Sequence, residues 1–76
     1  MTETNKDGPL TLGDALPQEM ARVRDEVLPA YLGIRAPGHF AVTMMRRDLD
    51  AAARAMAEGD TVAMLRLYQE LKGYTT

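Results

Sequence analysis

The stretch AMAEGDTVAML, residues 55–65, contains the clearest helix-boundary signals in the chain. Gly59 suits the left-handed backbone conformation that commonly ends a helix, and Asp60 suits the cap position at the start of the next one. Two helices joined by so short a connection lie antiparallel to each other. The stretch therefore predicts an αα-hairpin at Gly59-Asp60.

Upstream of this hairpin, apolar residues recur every three or four positions and predict the longest helix, from Pro37 to about Ala57. Its main stripe consists of Ala41, Val42, Met45, Leu49, Ala52, Ala53 and Met56. The apolar arc is widened by Phe40, Met44, Ala51 and Ala55. An arc of this width predicts a helix that packs against two neighbours at once.

Downstream of the hairpin, the same spacing predicts a third helix that ends at Gly73. Its buried face is expected to consist of Met64, Leu65, Tyr68 and Leu71. Arg66 is expected to point to water.

The first helix is expected to begin at Pro17, after a capped turn at residues 11–14. Its apolar face is expected to consist of Met20, Val23, Val27, Tyr31 and Ile34, with Leu16 and Ala30 beside it. Pro29 lacks an amide proton and crowds the preceding turn, so a kink or break is expected near Leu28.

These patterns predict an all-α protein, a small three-helix bundle with one further short turn before it. The chain has 76 residues and no cysteine, so its core is thin and no disulfide stabilises it. Residues 1–9 are polar and are expected to form a flexible N-terminal tail, and residues 10–76 to form a single helical domain.

Composition argues against several classes of partner. The formal net charge of −2 gives no general attraction to nucleic acid or to anionic lipid. Charged residues interrupt every apolar run before it could span a bilayer, so no membrane association is expected. The absence of cysteine is typical of a reducing compartment, and we expect a cytoplasmic location.

The chain contains little that could carry out chemistry. His39 is the only imidazole and has no second ligand or catalytic partner at a recognisable spacing. Serine and cysteine are absent, and glycine-rich phosphate-binding loops are missing. We therefore expect no catalytic, cofactor-binding or metal-binding residues, no cofactor and no enzymatic activity.

One charged cluster stands on the longest predicted helix. Arg46, Asp50 and Arg54 follow each other at intervals of four, which predicts a charge ladder whose members pair with one another. Together with the neighbouring Arg47, the arginines form a weak candidate basic patch. A solvated helix face is the simpler interpretation of the same pattern.

The residues 55–65 quoted above, with Tyr68, Leu71, Lys72 and Gly73 after them, resemble small uncharacterised proteins of bacterial and prophage genomes. The likeness extends upstream through residues 20–24 and 44–47. It implies a bacterial, prophage-borne origin and no particular activity. The hairpin with Ala63 and Tyr68 also resembles part of a tetratricopeptide repeat, but one helix pair is too few for that architecture.

Two functions remain open at this point. The first is a non-enzymatic accessory or adaptor protein that contacts an unidentified protein partner through Phe40, Met44, Ala51 and Ala55. The same surface predicts a homodimer, unless the first helix covers it in a monomer. The alternative is a small nucleic-acid-binding regulator that uses Arg46, Arg47 and Arg54.

Overall fold

Three helical rods make up the part of the chain that a computed structural model describes, residues 11–34 and 36–75. The elements in chain order are α1 (Leu12–Arg22), a π-helical segment (Val23–Val27), α2 (Leu28–Leu32), α3 (Ala36–Glu58) and α4 (Thr61–Lys72). The first three elements are contiguous and form one rod. The predicted all-α three-helix bundle is confirmed, and the predicted tail at residues 1–9 lies outside the described residues.

The first rod begins earlier than the sequence predicted. The backbone N–H of Asp14 donates to the Thr11 hydroxyl oxygen at 3.2 Å, and that hydroxyl donates to the Asp14 carboxylate at 2.9 Å. The first bond satisfies one backbone donor at the helix start, and the second holds the Thr11 side chain in the capping position. The turn expected at residues 11–14 is therefore the first turn of α1, and Pro17 lies inside the helix instead of at its start.

The interruption expected near Leu28 is present as a π-helical segment, and the helical rod continues through it. In this segment the backbone N–H of Leu28 bonds to the carbonyl of Val23, five residues earlier. Regular α-helical structure resumes at Leu28, so Pro29 falls in the first turn of α2. The wider π-helical turn just before Pro29 makes room for the proline ring, so the rod continues without a break.

The hairpin between α3 and α4 has the predicted chemistry. Gly59 has a φ of 68°, and the N–H groups of Gly59 and Asp60 bond to the carbonyls of Met56 and Ala55 at 3.2 and 2.9 Å. The Asp60 carboxylate accepts the N–H of Ala63 at 3.2 Å. These bonds satisfy the end of one helix and the start of the next, so the predicted αα-hairpin is confirmed.

The core lies between the three rods and contains Leu16, Val23, Val27, Leu28, Val42, Met45, Ala52, Ala55, Leu67 and Leu71. Four residues that the sequence pattern placed on buried faces are exposed instead. Ile34 and Leu65 are 47% and 49% exposed, and Ala30 and Ala53 are also exposed. On α4 the buried residues are Leu67 and Leu71, and Leu67 instead of Leu65 completes the helix face that Met64, Tyr68 and Leu71 form.

Polar contacts fix the rods side by side. An Arg22 guanidinium nitrogen donates to the Leu71 carbonyl at 3.0 Å and to the Glu19 carboxylate at 2.9 Å, which joins α1 to the end of α4. The Tyr31 hydroxyl donates to the Thr75 carbonyl at 2.8 Å. The C-terminal end of α4 therefore lies alongside the first rod.

Candidate functional site

The apolar surface predicted on α3 is smaller than the sequence indicated. Phe40 is 70% exposed and Met44 is half-buried. Ala51 is half-buried and packs against the core, whereas Ala55 is only 4% exposed. The inclusion of Ala55 in an exposed surface was wrong, because α4 folds back beside the C-terminal half of α3 and covers it.

Phe40 is exposed and Met44 is only half-buried on the first half of α3, which α4 does not accompany. The Tyr74 hydroxyl donates to the Asp48 carboxylate at 2.7 Å, so the end of α4 meets α3 near its middle. Before Asp48, α3 packs against α2 on another face, where buried Gly38 lies against Tyr31. Among residues 11–34 and 36–75, no helix covers the side chain of Phe40.

Beside this apolar face, three arginines from two helices line one groove. Arg47 and Arg54 come from α3 and Arg66 from α4, and the groove has a volume of about 410 Å³. The remaining lining residues are Asp48, Asp50, Ala51 and Leu67. Arg46 belongs to the predicted basic patch but does not line the groove.

Arg66 is the candidate functional residue that the sequence analysis missed. The signal was present in the hairpin, because residues equally distant from the turn lie side by side in antiparallel helices. Arg54 and Arg66 stand at nearly equal distances from Gly59-Asp60, so the register of the hairpin places them on neighbouring turns. Exposure of Arg66 was expected and is observed, but its position next to the α3 arginines was not anticipated.

The predicted charge ladder on α3 does not form. Among the described residues the ion pairs within 4.0 Å are Arg22 with Glu19 and Arg24 with Asp25. No carboxylate of these residues reaches the guanidinium groups of Arg46, Arg47, Arg54 or Arg66 at that distance. Water screens such exposed pairs, so little energy is available to hold a short aspartate side chain against an arginine.

The apolar and basic parts form one continuous stripe on α3. Phe40, Met44, Arg47, Ala51 and Arg54 follow each other at spacings of four, three, four and three residues, which places them on a single helix face. An Arg47 guanidinium nitrogen lies 4.0 Å from the Met44 sulfur, so the two parts touch. We call these five residues, with Arg66 beside them, the α3 stripe.

Other residues considered for chemistry lie apart from this stripe. His39 is exposed, and its backbone carbonyl accepts the Thr43 hydroxyl at 3.1 Å. In the described ranges, no three histidine or acidic side chains are grouped so that they could hold a metal ion. Likewise, none of the described helices combines the length and apolar character needed to cross a membrane.

Comparisons of the chain with protein-family models, with curated proteins and with solved structures found no significant match.

Proposed function

We propose that this protein is a non-enzymatic adaptor that acts by presenting the α3 stripe to a protein partner. The observation that carries the proposal is the 70% exposure of Phe40 on α3, one turn from the half-buried Met44. Burying a phenylalanine side chain contributes about 1.5–3 kcal/mol. A partner that completes the third rod over this half of α3 would gain that energy.

The sequence resemblance extends the proposal to a bacterial, prophage-borne adaptor in the cytoplasm. In that role the protein needs no active site, and its stripe is the functional part. The face of α3 opposite the stripe packs on the other two rods, and this packing holds the stripe in position.

Site-specific photo-crosslinking tests this proposal. A benzophenone amino acid is placed at position 40 of the full chain in native cells, and a matched one at position 53, which is exposed on the far side of α3. We expect a discrete crosslinked product from position 40 that position 53 does not give. Identical patterns from the two positions, or no product from either, would contradict an adaptor role for this face.

A second candidate function, a nucleic-acid-binding regulator, gains support from Arg66, which adds a third guanidinium to Arg47 and Arg54. Two observations count against it, because Asp48 and Asp50 line the same groove and the whole chain has a net charge of −2. A salt titration of binding to mixed-sequence duplex and single-stranded DNA tests it. Absence of salt-sensitive binding at low ionic strength would end this candidate.

A further inference from the structure

The α3 stripe has two chemically different halves, and its occupant must match both. Phe40 and Met44 offer an apolar seat at one end. Arg47, Arg54 and Arg66 offer guanidinium groups in the groove at the other end. From this juxtaposition we infer that the partner segment is an acidic amphipathic helix, with apolar side chains over Phe40 and Met44 and carboxylates in the arginine groove.

Charge complementarity supports carboxylates as the ligands of the groove. Guanidinium groups bind carboxylates through two parallel hydrogen bonds, and the described carboxylates leave all three groove arginines without an ion pair within 4.0 Å. Asp48 already accepts the Tyr74 hydroxyl. With Asp48 and Asp50 both counted, the groove still holds one more positive than negative side chain.

The geometry sets the length of the occupant. Phe40 and Arg54 are separated by fourteen residues of helix, which corresponds to about 21 Å. A partner helix that runs along the stripe therefore needs about four turns. Its contact residues should repeat at the same alternation of three and four that places the stripe on one face of α3.

A second copy of this chain fits the same face poorly. A parallel two-fold dimer through the α3 stripe would face each arginine with its own copy, and an antiparallel one would face Arg47 with Arg47 and Phe40 with Arg54, which matches neither half of the stripe. Like charges at close range oppose such pairing. We therefore propose a partner helix and not a homodimer, and the test below includes the homodimer as an outcome that would contradict the proposal.

The inference rests on the proposed adaptor function, and its test uses designed probes. Two fluorescein-labelled helical peptides of eighteen residues carry leucines at one end and glutamates at the other, in opposite orders to cover both helix directions. Matched peptides replace every glutamate by glutamine. Binding to the full chain is followed by fluorescence anisotropy at several salt concentrations, and sedimentation reports the oligomeric state.

We expect one glutamate probe to bind at least about tenfold more tightly than its glutamine match, with the difference shrinking as salt rises. Phe40→Ala, Arg54→Gln and Arg66→Gln should each weaken binding several-fold to tenfold. Arg46→Gln is the matched control, because Arg46 is exposed on the same helix but outside the groove. All four residues are exposed, so circular dichroism should report the same fold for every variant.

Equal binding of the glutamate and glutamine probes would overturn the inference. The same holds if Arg46→Gln weakens binding as much as Arg54→Gln, if the chain is a dimer with position 40 at its interface, or if single-stranded DNA displaces the probe from the groove. These failures differ from a failure of the adaptor proposal itself. A crosslink specific to position 40, without preference for acidic probes, would keep the adaptor and reject the acidic helix.

Discussion

The Tyr74 hydroxyl donates a 2.7 Å hydrogen bond to the Asp48 carboxylate, which joins the end of the chain to the middle of α3 across 26 residues of sequence. This contact marks where the third rod ends. Beyond Asp48 α3 packs beside α4, whereas before it no helix among the described residues covers Phe40.

Tyr74→Phe removes this hydrogen bond while keeping the ring. Because the acceptor is a half-buried carboxylate, we expect the free energy of unfolding to fall by about 1 kcal/mol. Urea denaturation measures the loss. Tyr68→Phe is the control, since no hydrogen bond links the Tyr68 hydroxyl to another described residue. An equal loss in both variants would mean that the bond to Asp48 contributes nothing specific.

The same contact predicts a loss of stability at alkaline pH. Burial, and then the hydrogen bond to Asp48, raise the pKa of Tyr74 above its ordinary value. The folded state therefore favours the neutral phenol, and this stabilisation is complete below the unfolded pKa of about 10 and declines above it. The difference in unfolding free energy between the native chain and Tyr74→Phe should shrink from about pH 9 to about pH 11. A constant difference would contradict this assignment.

Leu67 and Leu65 make a matched pair on α4. Leu67 is 2% exposed and Leu65 is 49% exposed. Leu67→Ala should lower the free energy of unfolding by about 2–5 kcal/mol, because it removes buried methyl groups and leaves a cavity. Leu65→Ala should cost less than about 1 kcal/mol, since that side chain is already half in water. Thermal or urea unfolding of the two variants distinguishes this rotation of α4 about its axis from one that buries Leu65 and exposes Leu67.

The hairpin predicts two separable effects. Asp60→Ala should lower stability by about 0.5–2 kcal/mol through loss of the cap on Ala63. At Gly59 an added Cβ would meet no atom within 4 Å, so the cost of Gly59→Val comes mainly from the positive φ. Gly59→Asn should be milder than Gly59→Val, because asparagine tolerates that conformation. Equal midpoints for the two Gly59 variants would argue against a left-handed turn.

Gly38 and Gly13 test the close approach of α2 and α3. A Cβ on Gly38 would lie 2.5 Å from the Tyr31 carbonyl oxygen and 2.6 Å from the Ile34 Cβ, whereas one on Gly13 would meet its nearest atom at 3.8 Å. Gly38→Ala should therefore destabilise by about 1–3 kcal/mol in spite of the better helix propensity of alanine. Gly13→Ala should be neutral or stabilising by up to about 1 kcal/mol. The reverse order of stability would refute the close packing.

Local chemistry explains which features could be predicted from the sequence. The bonds that end α3 and begin α4 involve residues within five positions of each other, so Gly59 and Asp60 specify the hairpin wherever it lies in the molecule. The error at Pro17 has a similar origin. A proline is tolerated early in a helix, so the sequence pattern predicts a start of α1 at Pro17. The cap at Thr11 instead starts the helix upstream of Pro17.

The orientation of each rod is a different matter. The apolar residues of α4 are compatible with more than one buried arc, and only contact with α1 and α3 together selects Leu67 over Leu65. The wide apolar arc of α3 likewise does not predict at which residues of α3 the neighbouring helices end. The end of α4 near Asp48 leaves Phe40 exposed and Ala55 covered, although both were predicted on one surface.

The sequence by itself therefore determined the helical class, the hairpin and the disturbance near Pro29, because backbone hydrogen bonding and side-chain spacing within a few residues control them. Only the tertiary structure decided the composition of the α3 stripe. Arg66 joins Arg47 and Arg54 because two helices pack in a particular register, and Phe40 remains exposed because the third rod is shorter than α3. Both outcomes depend on the relative placement of rods, which the packing of the whole core selects.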